Sequence, residues 1–125
     1  MFLQLAHTKL DVFKQTKSLV LEVYKLTKYF PSEERFALTQ QLRRAALSAL
    51  FNVAEGCSRK SGPERRRFFE ISRGSVNEID TALDISLELK YCNTDELGCL
   101  GDYIVSSFKQ LSALINKENR TEYPH

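Results

Sequence analysis

Apolar positions recur three and four residues apart along almost the whole chain, the period of a helix that buries one face. Val12, Phe13, Leu19, Val20, Val23, Leu26 and Phe30 share this spacing, with Lys14, Lys17, Lys25 and Lys28 outside it. The pattern predicts a first helix from about Thr8 to Tyr29, stopped by Pro31. In Pro31-Ser32-Glu33-Glu34, Ser32 fits an N-cap, and the two carboxylates fall where a helix dipole favours them. A second helix starts either at Glu33 or near Thr39, burying Leu42, Ala45, Ala46, Ala49, Leu50, Val53 and Ala54. Gly56 costs this helix about 1 kcal/mol relative to alanine, so tight packing or a bend is expected there.

Ser61-Gly62-Pro63-Glu64 is the sharpest punctuation in the chain. Ser61 is an N-cap, Pro63 lies in the first turn and Glu64 at N3 completes a capping box. The third helix reaches about Tyr91, a length of about 42 Å, with Phe68, Phe69, Ile71, Val76, Ile79, Leu83, Leu87 and Leu89 inward. Asn93 and Glu96 repeat the cap pattern before a fourth helix through Leu97, Leu100, Ile104, Phe108, Leu111 and Ile115 to about Lys117. Glu118 to His125 is polar and expected to fray. No stretch alternates at period two for long. Four long helices with short connections predict an all-α, antiparallel up-down-up-down four-helix bundle, one domain over residues 1–125.

Composition supports a globular chain: 125 residues, 42% hydrophobic and 27% charged, enough to bury roughly two thirds of the unfolded surface. No apolar run approaches the roughly 18 residues that cross a bilayer, so no membrane role is expected. The N-terminal MFLQLAHTKLD has neither a basic leader nor a small-residue cleavage site, and a cytoplasmic location follows as the expectation.

Net charge is only +2, yet it is unevenly placed. From Arg43 to Arg73 eight basic residues face three acidic ones, whereas from Gly74 to Asp102 seven acidic residues face one lysine. This dipole suits either a local polyanion site or charge pairing between subunits.

Catalytic chemistry finds little support. The two histidines, His7 and His125, lie near the chain ends, where neither a Ser/His/Asp nor a Cys/His arrangement is indicated. No Glu-x-x-His motif and no glycine-rich phosphate loop occurs. Cys57, Cys92 and Cys99 form no CxxC and read as reduced, half-buried small hydrophobes, so neither a metal nor a cofactor is expected.

Two polar groupings remain. Arg43, Arg59, Lys60, Arg65, Arg66 and Arg67 gather around the connection between helices two and three, beside the positive dipole end of helix three. Arginine grips phosphate bidentately, and several such contacts give salt-sensitive binding without base readout; a solubilising charge run is the alternative. On helix two, Arg44, Ser48, Asn52, Glu55 and Arg59 form one stripe, and Arg73, Gly74, Ser75 and Glu78 form a polar island on helix three. Antiparallel packing would bring the two together as a contact surface or buried network, for example through an Arg44–Glu78 pair. A plain solvated face is the alternative.

The string LTQQLRRAALS at Leu38 to Ser48, then Asn52-Val53-Ala54-Glu55-Gly56, Arg59-Lys60-Ser61, and Arg73-Gly74-Ser75 with Glu78, resembles the four-helix bundle proteins encoded within intervening sequences of bacterial 23S ribosomal RNA genes, the S23 family. The resemblance extends over nearly the whole chain, and its central motif R-R-A-x-x-S-x-x-x-N-x-A-E-G is specific. It implies a bacterial homo-oligomer, with a ring of five expected, and a poorly defined function. Relatives of similar fold serve reverse transcriptases of diversity-generating retroelements, where a basic ring binds nucleic acid and the enzyme. The chain departs from the family in having Phe13 where a tryptophan is usual. It also lacks the proline common between the matched serine and asparagine, where it has Ala49-Leu50-Phe51, so its second helix is expected to be straighter.

The sequence therefore points to a non-enzymatic oligomeric scaffold whose basic end contacts nucleic acid, structured RNA foremost, with itself and RNA or a nucleic-acid-processing protein as partners. A protein-interaction adaptor or assembly ring without nucleic-acid binding is the alternative.

Overall fold

In the computed structural model, which describes residues 5–122, four helices make up the chain: α1 (Asp11–Thr27), α2 (Leu38–Ser58), α3 (Gly62–Glu88) and α4 (Gly98–Glu122). Short 3-10 turns lie at Ala6–Lys9, Ser32–Glu34 and Asp95–Leu97, and no strand occurs among the described residues. Each helix packs on its chain neighbours, and α1 closes against α4. Along α2 and α3 the touching positions run in opposite order: Gln41 meets Glu78, Ser48 meets Ser75 and Ala49 meets Ser72. Across α3 and α4, Arg65 meets Glu118 and Arg73 meets Ser112, again in opposite order, so α2–α3 and α3–α4 are antiparallel pairs; across α1 and α2, Arg43 meets Thr27.

The start and stop signals resolve unequally. Ser61 caps α3 as expected, its Oγ accepting from Glu64 N–H at 3.2 Å, although the Glu64 carboxylate lies toward Arg59, 3.9 Å away. Asn93 and Glu96 bond each other reciprocally at 3.0 and 2.9 Å, a complete capping box that opens the 3-10 turn leading into α4. Ser32 does not cap a helix: Pro31 holds the cap position of the 3-10 turn, and α2 begins at Leu38 behind Ala37, with no side-chain cap bond at either place. The segment from Glu118, expected to fray, begins as helix. Helix α4 continues to Glu122, because Glu118 continues the buried row of Leu111 and Ile115 and is itself only 7% exposed; residues 123–125 lie outside those described.

The core centres on Leu19, Val23, Leu42, Val53, Val76, Ile79, Leu100 and Leu111, all fully buried. Small residues line the α2–α3 seam: Ala45, Ala46, Ala49 and Gly56 on α2 and Ser72 and Ser75 on α3 are buried, which lets two backbones approach closely. At Gly56 the approach is absolute. A Cβ there would stand 2.6 Å from Phe69 Cε1, so packing rather than a bend explains this glycine, and α2 runs unbroken. Ile71, Leu89 and Phe108, expected inward, are exposed instead, with the serines taking interior places on α3.

Candidate nucleic-acid interface

The basic end is built by a three-residue connection between α2 and α3, residues 59–61. Helix α2 stops at Ser58, whose Oγ donates to Glu55 O at 2.7 Å, and Arg59 then turns extended at φ −81°, ψ 150°. Arg65, in the first turns of α3, reaches back over this bend. Its Nη1 donates to the carbonyls of Lys60 at 2.7 Å and Arg59 at 3.2 Å, satisfying two acceptors of the connection that no helix pairs. Its Nε and Nη2 donate to Glu118 Oε1 at 2.8 Å and Oε2 at 3.1 Å, a bidentate pair. The hydrogen bonds to Glu118 push the Arg65 guanidinium above its ordinary value, partial desolvation opposing and the Glu118 charge adding. One side chain thus ties the α2 terminus, the turn and α4 together.

The six cations expected at this end divide by what they touch. Arg65 is held as described, and Arg66 is half-buried with Nη1 donating to Asn119 Oδ1 at 3.0 Å and Nε 3.5 Å from Glu70. Arg59 pairs with Glu55 at 3.1 Å and lies 4.9 Å from the Phe68 ring centroid, yet its side chain remains 43% exposed. Lys60 and Arg67 are exposed, and among the described residues their side chains have no ion pair or hydrogen bond. Arg43 is not part of this end. It lies about 24 Å away along α2, with Nε donating to Thr27 Oγ1 at 2.8 Å and its guanidinium 4.6 Å from the Tyr24 ring. The free field over the N-terminus of α3 therefore comes from Lys60, Arg67 and the outer part of Arg59, with Glu64 partly offsetting it.

The polar stripe on α2 also divides. Ser48, Asn52 and Ser75 form a junction inside the bundle: Ser75 Oγ donates to Ser48 Oγ at 2.8 Å, and Asn52 Nδ2 donates to Ser48 O at 2.8 Å. Arg73 leaves this seam for α4, reaching Ser112 Oγ at 3.1 Å and lying 5.6 Å from the Phe108 ring. Arg44, Glu55 and Glu78 sit on the exposed rim. The Arg44–Glu78 pair does not form: Glu78 accepts from Gln41 at 3.3 Å, and Arg44 has no partner among the described residues. Both line a shallow groove with Ser48, Ile71, Gly74 and Ser75.

Of the cysteines, Cys57 lies near this end, while Cys92 and Cys99 lie at the opposite end of the bundle. Burial pushes the Cys57 and Cys92 thiols up, with the Glu96 charge adding at Cys92, which is the reverse of what thiolate chemistry needs. Cys99 is exposed rather than half-buried. Among the described residues no cluster of three or more His, Cys, Asp and Glu side chains converges on a metal position, and no helix is long and apolar enough to cross a membrane.

Sequence reasoning missed Glu118 and Asn119 as partners of the basic run. The available signal was spacing, since Glu118 follows Leu111 and Ile115 at i+7 and i+3 on one helix face.

Comparison with known proteins agrees with this architecture. Residues 8–116 match the family model described as 23S rRNA-intervening sequence protein. The chain is similar in fold to the crystal structure of a protein of unknown function from the S23 ribosomal protein family of Bacteroides thetaiotaomicron. That match has a TM-score of 0.76 and 18% sequence identity, over 83% of this chain and 97% of that one. No curated protein matches the chain.

Proposed function

We infer that this chain, which belongs to the 23S rRNA-intervening sequence protein family, is a non-enzymatic helical scaffold that assembles with copies of itself and contacts structured RNA through its basic end. The observation that carries the reading is the pair of unpartnered cations, Lys60 and Arg67, held with Arg59 around a turn that Arg65 and Glu118 fix in place. A fixed turn presents these charges with the backbone already ordered, so that only the side chains are ordered on binding, and contacts of this kind go to phosphates rather than bases. Within this reading the protein is bacterial and cytoplasmic, and a ring of five is its assembly.

A second reading rests on a different observation. The far half of α3, the 3-10 turn after it and the start of α4 expose Asp80, Asp84, Glu88, Asp95, Glu96 and Asp102, and the α2–α3 rim exposes Phe51, Ile71 and Ile85 at 59, 42 and 47%. Complementary ends and an apolar rim fit an adaptor or assembly ring that uses its charges on protein.

The deciding measurement is binding of the purified chain to a labelled structured RNA and a matched duplex DNA across salt, with mass by light scattering. The RNA reading expects affinity that falls steeply with salt, with the slope reduced by about 2 in Lys60→Ala/Arg67→Ala at unchanged mass. Absence of binding at low salt, with an assembly that dissociates as salt rises, would instead establish the adaptor reading. Arg65 is left intact here because its loss would disturb the turn itself.

A further inference from the structure

Helix α1 carries a cationic surface separate from the α2–α3 end. At 100° per residue, Lys14, Lys17, Leu21, Lys25 and Lys28 fall within about 80° of arc and extend about 21 Å along the axis. All five are exposed. Lys25 stands 3.3 Å from Glu22 with its side chain 72% exposed; the other three lysines have no ion pair among the described residues. Asp11 and Glu22 lie outside the arc, and Glu34, beyond the helix, accepts from Tyr91 instead.

Where this stripe ends, two aromatic side chains project into water, Tyr29 at 84% and Phe36 at 79% exposure. Phe30, between them in sequence, is 7% exposed and anchors the start of the connection in the core. The Arg35 guanidinium lies 5.2 Å from the Phe36 ring centroid, adding a cation at the same place. Rings standing this far out of a bundle contribute nothing to its core and are the residue type on which unpaired bases stack.

We propose that the α1 lysine stripe and its aromatic end form a binding surface for single-stranded nucleic acid, with the backbone phosphates along Lys14, Lys17, Lys25 and Lys28 and bases against Tyr29 and Phe36. A line of cations on a straight helix matches a linear polyanion. A lipid surface is the poorer fit, because only Leu21 is apolar within the stripe, whereas a membrane-surface helix needs a broad apolar face directed to the lipid. This surface does not depend on the Lys60 and Arg67 end.

The test uses the full chain with labelled oligo(U) and, in parallel, an RNA hairpin, both titrated across salt. Oligo(U) is expected to bind, and Lys14→Gln/Lys17→Gln/Lys28→Gln to lower the salt slope by about 2. Tyr29→Ala/Phe36→Ala is expected to weaken oligo(U) about fivefold or more with the slope unchanged, and Lys60→Ala/Arg67→Ala to leave it unchanged. All substituted positions are exposed, and circular dichroism checks that each variant keeps its helices. Three results would overturn the proposal: no oligo(U) binding at low salt, oligo(U) binding lost only in Lys60→Ala/Arg67→Ala, or anionic vesicles bound through Tyr29 and Phe36 while oligo(U) is ignored. Hairpin binding, read against Lys60→Ala/Arg67→Ala, judges the basic end separately.

Discussion

At one end of the bundle the α2–α3 connection is three residues long, and Ser61 and Arg65 hold it through five hydrogen bonds to backbone and to Glu118. At the other end the α1–α2 connection takes ten residues, 28–37, with no side-chain cap and with Tyr29 and Phe36 projecting outward. The first is rich in arginine, yet half of that charge works inward. The second has fewer cations, and of those on the adjoining α1 face only Lys25 has an ion pair among the described residues, an exposed one with Glu22. Counting charge along a sequence therefore misjudges where a field is available, because a guanidinium with five donors is as useful for closing a turn as for meeting a ligand.

The sharpest break in this comparison is Arg65→Ala. It leaves Glu118 buried without its counter-ion and two turn carbonyls unpaired, and the expected cost is about 2–3 kcal/mol, a melting temperature lower by about 5–10 °C. Arg67→Ala, two residues on and solvent-facing, should change stability by less than about 0.5 kcal/mol. Equal losses in thermal denaturation would mean that the clamp does not hold the turn.

Next in size is Gly56→Ala. The added methyl meets Phe69 at 2.6 Å from Cε1 and 2.8 Å from Cδ1, and that ring is 3% exposed, so it has little room to move. Overpacking at about 1–3 kcal/mol outweighs the helix-propensity gain of about 1 kcal/mol, leaving a net loss near 1 kcal/mol. Gly74→Ala is the control: nothing lies within 4 Å of its Cβ position, and it should stabilise by about 0.5–1 kcal/mol. A stabilised Gly56→Ala would mean that the seam can open.

At the opposite end, α3 finishes in a Schellman arrangement, with Tyr91 N–H donating to Ser86 O at 2.9 Å and Lys90 N–H to Leu87 O at 3.0 Å. That motif places Lys90 at φ 63°, a left-handed conformation that costs an L-residue about 1 kcal/mol and glycine almost nothing. Lys90→Gly is therefore expected to raise stability by up to about 1 kcal/mol in urea denaturation. An unchanged or lower midpoint would show that the lysine side chain compensates for its backbone.

These cases also separate what a sequence discloses from what it hides. The Ser61 and Asn93–Glu96 caps were legible because their causes lie within a few residues, whereas Gly56 read equally as tight packing or a bend until the contact with Phe69, 13 positions on, decided it. Ser32 misled for a local reason too: Pro31, with its fixed φ, took the cap position and set a 3-10 turn instead. The bidentate Arg65–Glu118 pair joins positions 53 apart, and no local rule predicts the register at which α3 meets α4. Arg43 was grouped with the basic run by sequence, although a straight helix carries it to the other end. The candidate site was thus readable as a tendency of a segment, while the division into held and free cations required the packing.

Tyr91 offers the finest test of how the second end is joined, because its hydroxyl donates to Glu34 Oε2 at 2.9 Å and so links the α3–α4 connection to the α1–α2 connection. That hydrogen bond, then burial, then the charges of Glu34 and Glu33 all push the phenol above its ordinary value. The bond requires the proton, so the contact contributes its stability fully below the unfolded phenol pKa and loses it as pH rises through the raised folded value. An absorbance titration of phenolate should show a component ionising above the ordinary phenol range, absent in Tyr91→Phe and diminished in Glu34→Gln. If no such raised component appeared, the two connections would not be joined in solution, and Tyr29 and Phe36 would ride on a looser loop than the one that Phe30 anchors here.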